Sequence, residues 1–157
     1  MNKQKFLYHA SPDIDIKVFE PRNEHPRYEG EENLVFATPD KQVAAMFLVP
    51  RSIPAVIGKY GNSHAVFVRS DRHTFELHDK PGAIYTLPSE TFRTGSEIGM
   101  GESEWISREA VRPVKKTIYN SALEALKDNN IKIYFLDEDM FNKVKLNPSK
   151  GLEIVKE

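Results

Sequence analysis

Apolar residues fall in short runs broken by prolines and charged stretches. Lys5 to His9 reads as a first strand, and Ala10-Ser11-Pro12 turns the chain away. Pro21 to Asn33, "PRNEHPRYEGEEN", carries prolines, a glycine and many charges, so it reads as a surface loop. Leu34 to Ala37 predicts a second strand. In "TPDKQVAAMFLV", Thr38 suits an N-cap and Pro39 the first helical position. Asp40 complements the helix dipole. Val43, Met46 and Phe47 share one helical face, and Pro50 and Pro54 bound the helix.

The middle of the chain reads as β-rich. Gly61-Asn62 signals a turn, and His64 to Val68 suits a buried strand. Thr74 to His78 alternates, with Phe75 and Leu77 on one face. Pro81-Gly82 suits a type II turn, with Ala83 to Leu87 completing a hairpin. A stretch holding Gly95, Gly99 and Gly101 leads into a strand at Glu104 to Ser107, and Val111 to Tyr119 follows. Ser121 and Glu124 form a capping box ahead of a helix that places Leu123 and Leu126 on one face and ends at Asn129-Asn130. Ile131 to Leu136 predicts a strand. Asp137 caps a last helix, with Phe141 and Val144 on one face, and residues 148–157 read as a frayed tail. Strands mixed with short helices, without regular βα alternation, predict an α+β protein. No linker interrupts residues 1–157, which predicts a single domain.

The length of 157 residues suits one domain with a real core. Hydrophobic residues at 39% and charged residues at 29% fit a globular chain. A net charge of −1 does not favour an extensive nucleic-acid surface. The chain has no cysteine, which excludes disulfides, thiolate zinc sites and a thiol nucleophile. Met1 to Lys5 lacks an apolar signal core, and no apolar run approaches the ~18 residues of a membrane span. The expectation is a soluble, cytoplasmic protein with no membrane association. The histidines, His9, His25, His64, His73 and His78, show no metal-binding spacing, so no metal is predicted. "GMGESE" leads into a strand rather than a helix, a poor phosphate loop.

Three stretches remain as candidate chemistry. Tyr8-His9-Ala10-Ser11 closes the first strand. Phe36-Ala37-Thr38-Pro39 ends a strand before a capped helix. Glu102-Ser103-Glu104-Trp105 follows the glycine-rich loop. Each also has a plain reading, as a packed turn, a helix cap and a solvated acidic pair. Their order resembles the ADP-ribosyltransferase superfamily, in its branch with a first-strand histidine, central aromatics and a late glutamate. The resemblance is a sparse pattern from Tyr8 to about Val114.

The resemblance implies a split sandwich of two small, mostly antiparallel sheets, with NAD, or a nucleotide-like ligand, bound in the cleft between them and NAD as substrate. It implies that His9 and Ser11 hold a ribose and that Ala10, where the family usually has glycine, contacts the nicotinamide amide. Phe36 or Phe47 would line the nicotinamide pocket, where the family usually has tyrosines, with Thr38 nearby. Glu104 would be catalytic, with Glu102 two residues before it. Breaking the nicotinamide–ribose bond builds positive charge on the sugar, and a carboxylate beside it stabilises that charge. A second carboxylate can orient or deprotonate the incoming nucleophile. The acceptor is unknown. The alternatives are a non-catalytic binding or interaction module of the same fold and, more weakly, a small RNA-cleaving toxin with His9 as base. Arg69, Arg72, Arg108 and Val111 to Lys116 offer positive charge for a pyrophosphate, or simply a charged edge strand.

Overall fold

The computed structural model describes residues 5–22, 33–61, 63–98 and 103–156. The chain packs as two compact units, Met1–Ala44 with Gly82–Ile118, and Ala45–Pro81 with Tyr119–Glu157. Each unit joins two distant stretches of sequence.

The first unit is built on two three-stranded sheets. In one, β1 (Phe6–Ser11) and β8 (Lys115–Tyr119) flank β5 (Gly82–Pro88). In the other, β2 (Val35–Ala37) and β6 (Phe92–Thr94) flank β7 (Trp105–Ser107). β1 runs antiparallel to β5, with Leu7 opposite Leu87 and His9 opposite Tyr85. β2 and β6 both run antiparallel to β7. The two sheets are stitched by a bridge in which Tyr8 N donates to Thr38 O at 2.8 Å and Thr38 N to Tyr8 O at 2.9 Å. Strand alternation sorts the side chains onto two faces. Leu7, Val35, Ala37, Tyr85 and Leu87 join Phe19 in one core, while Leu34, Phe36 and Ile106 form a smaller cluster. The ends of the polar loop are closed by paired hydrogen bonds between Arg22 and Leu34, both 2.9 Å.

The second unit holds a sheet in the order β3 (Ala55–Tyr60), β4 (Ser63–Arg69), β9 (Lys132–Leu136). The β3–β4 pair is an antiparallel hairpin, and Gly61 takes the φ of 63° that its tight turn requires. The β4–β9 pair is parallel. α2 (Arg72–His78) follows β4, α3 (Ala122–Asp128) precedes β9, and α4 (Glu138–Leu146) follows it. Asp71, Ser121 and Asp137 cap these helices through the backbone N–H groups of Thr74, Glu124 and Met140. Phe141 and Val144 of α4 are buried.

Several sequence expectations change. The α+β class is present, but the described residues form three sheets rather than two. Thr74 to His78 lies in a helix, not a strand: Asp71 caps it, Phe75 is buried and Leu77 is 70% exposed. β5 therefore makes no hairpin with that segment and pairs with β1 instead. α1 (Lys41–Met46) begins later than predicted. Asp40 accepts from Gln42 N at 2.9 Å and acts as the cap, while Thr38 Oγ1 accepts from Asp40 N at 3.2 Å in the preceding turn. Phe47 lies beyond α1 and is 60% exposed, so it does not extend a buried face. Residues 148–155, read as a frayed tail, form a 3-10 turn and α5 (Gly151–Val155). Leu152, Ile154 and Val155 pack with Phe67 and Val144. Tyr60 Oη donates to Pro148 O at 2.8 Å, and a Cβ on Gly151 would meet Phe67 at 2.6 Å.

Candidate functional site

The first unit gathers most of the predicted site residues at the junction of β1 and β2. His9 Nδ1 lies 2.6 Å from the carbonyl oxygen of Phe36. A carbonyl only accepts, so Nδ1 carries a proton and donates it to Phe36 O. The His9 ring meets Phe19 edge-on at 4.8 Å, and Phe19 meets Tyr85 edge-on at 5.0 Å. Ala10 lies opposite Ile84 in the β1–β5 ladder. Ser11 Oγ accepts from Asp13 N at 3.1 Å and shapes the turn that leaves the strand. Phe36 and Thr38 are buried, and Thr38 supplies the bridge to Tyr8.

Glu104 is half-buried immediately before β7. Its carbonyl accepts from Gly95 N at 2.6 Å, which ties it to the 3-10 turn Gly95–Ile98. Ala37 lies opposite Trp105, so Glu104, immediately before β7, follows the last pair of the β2–β7 ladder. Neighbouring strands lie about 4.8 Å apart, so β1, β2 and β7 together span about 10 Å of backbone. Three segments far apart in sequence thus occupy adjacent strands. The pleat distinguishes their faces. His9, two residues from Leu7, turns toward Phe19. Phe36 and Ile106 belong to the cluster on the other face, and Glu104 lies just before β7 begins. Glu102 lies outside the described residues, and Phe47 belongs to the second unit.

Beside His9 is a small recess of about 70 Å³ whose walls include Asp13, Ile16, Phe19, Glu20 and Arg22. The sequence reading missed these residues. Their one signal is the alternation of charged and apolar positions in "DIDIKVFEPR", which does not reveal what they surround. Tyr85 was also missed. Its buried hydroxyl donates to Asp13 O at 2.6 Å and accepts from Ile16 N at 3.0 Å. Burial pushes the Tyr85 hydroxyl above its ordinary pKa, helped by the nearby Asp13 and Asp15 charges and opposed by the Ile16 hydrogen bond.

Comparison with protein-family models, with curated proteins and with solved structures returned no match to this chain.

The second unit has an open groove at the carboxyl ends of the parallel strands β4 and β9, lined by Arg69, Ser70, Asp71 and Phe135 to Glu138. The carboxylates of Asp71 and Asp137 already cap α2 and α4 there. The Thr74 N–H, bonded to the Asp71 carboxylate, holds its pKa below the usual range. Among the described residues, no three His, Asp or Glu side chains are grouped to hold a metal ion. No described helix is long and apolar enough to cross a membrane.

Proposed function

We propose that this chain binds NAD and transfers its ADP-ribose to an acceptor, on an ADP-ribosyltransferase-like split sandwich. The observation that carries the reading is the meeting of sequence-distant segments. The Tyr8–Thr38 bridge, the His9–Phe36 hydrogen bond and the Ala37–Trp105 pairing set the three candidate stretches side by side. In this reading His9 and Ser11 hold a ribose, Ala10 presents its backbone to the nicotinamide amide, and Phe36 lines the ring pocket. The bond between C1′ of the ribose and the nicotinamide nitrogen breaks, and neutral nicotinamide leaves with the electron pair. Glu104 stabilises the cationic sugar. The acceptor's nucleophile bonds to C1′ and loses its proton to solvent or to a carboxylate such as Glu102.

A second reading keeps the binding and drops the chemistry. It is favoured by the position of Glu104 outside the β7 strand and by the use of the His9 Nδ1 proton within the fold. Calorimetric titration with NAD, on the wild type and on Glu104→Gln, tests the proposal. Saturable binding by both proteins is the expected result. No binding at millimolar NAD rejects both readings.

A further inference from the structure

We infer that Tyr85 is the positioning residue of the recess beside His9, its hydroxyl clamping the Asp13–Ile16 turn that forms one wall. The inference rests on the NAD reading only for what the recess binds. Tyr85 stands directly opposite His9 in the β1–β5 ladder and is fully buried. Its ring supports Phe19, and Phe19 supports the His9 ring. Its hydroxyl donates to Asp13 O and accepts from Ile16 N, using both hydrogen-bonding capacities on one turn. Asp13 and Ile16 are themselves recess residues. One buried side chain therefore sets both the histidine's support and the facing wall. The other anchor on this turn is weaker. Lys116 Nζ donates to Ile14 O at 2.6 Å and pairs with Asp15 at 3.6 Å, but Asp15 is 77% exposed.

Tyr85→Phe in the full chain keeps the ring and removes the clamp. Amide hydrogen exchange, read by NMR, is the measurement, with the Phe19 and Val111 amides as internal references because they bridge within the same core. The Ile16 amide is expected to exchange about tenfold faster, the scale of the lost buried hydrogen bonds. The reference amides stay within about twofold, and NAD affinity falls in the same variant. Lys116→Ala, which leaves the core untouched, is expected to leave Ile16 exchange within about twofold of wild type. Unchanged Ile16 exchange in Tyr85→Phe overturns the assignment. So does a uniform acceleration of all amides, or a release of Ile16 by Lys116→Ala as large as that by Tyr85→Phe. NAD affinity unchanged despite a loosened turn also overturns it. If the wild type binds no NAD but Ile16 responds as expected, the clamp stands and the NAD reading falls.

Discussion

His9 combines two roles that compete for one ring. Its Nδ1 proton and one ring edge are committed to Phe36 and Phe19, so the side chain contributes to the fold whether or not it meets a ligand. His9→Ala is expected to cost about 1–3 kcal/mol of unfolding free energy, read by urea titration, because it strips a hydrogen bond and opens the packing around Phe19. Tyr85 makes a different prediction. Burial raises its pKa in the folded state, so folded protein holds the proton at a pH where the unfolded chain has released it. The stability this contributes is complete below about pH 10 and is lost as pH rises through the folded value. Tyr119 behaves alike, through burial and its bond to Asp128. Tyr85→Phe is therefore expected to flatten the fall in melting temperature above about pH 10.

Elements were legible where caps announce them. Ser121 and Asp137 were identified from sequence and do cap α3 and α4, because a short polar side chain before an amphipathic run is a local signal. Asn129 and Asn130 likewise end α3, and Asn130 adopts φ 59°. Thr74 to His78 misled because alternation over so few residues also fits one helical turn, and the deciding residue, Asp71, lies outside that window. The Thr74 amide shift is expected to follow Asp71 protonation with a midpoint below an ordinary aspartate, since the charged carboxylate is the stronger acceptor. The α2–α3 connection depends on a contact that sequence does not show. The Asp79 carboxylate accepts from Ala122 N at 2.6 Å and Leu123 N at 3.2 Å, giving the α3 N-terminus a second cap. Asp79→Ala should cost about 1–3 kcal/mol, measured by chemical unfolding, with Asp79→Asn costing less.

Strand partners are set by packing between distant segments, so they were the least legible feature. Nothing near His9 in sequence indicates that β5 lies beside it, or that its core contacts would be Phe19 and Tyr85. The order of the candidate stretches was readable, and the adjacency of β1, β2 and β7 follows from the bridge and the β2–β7 register. The face on which each side chain lies depends on the pleat, which begins at Trp105 rather than Glu104. In the second unit residues 148–155 were read as frayed from their terminal position, which says nothing of the packing around Gly151. Its missing side chain is what allows the approach to Phe67 and Tyr60. Gly151→Ala is expected to destabilise by about 1–3 kcal/mol in thermal unfolding, since Phe67 is fully buried and has little room to yield.

The most direct test of the proposed chemistry is the rate of nicotinamide release from NAD by the wild type and by Glu104→Gln. The transferase reading predicts measurable release that falls by about 100-fold or more in the variant, the scale of losing a charge-stabilising group. Release at the same rate in both proteins, or none above the uncatalysed rate in the wild type, would contradict it.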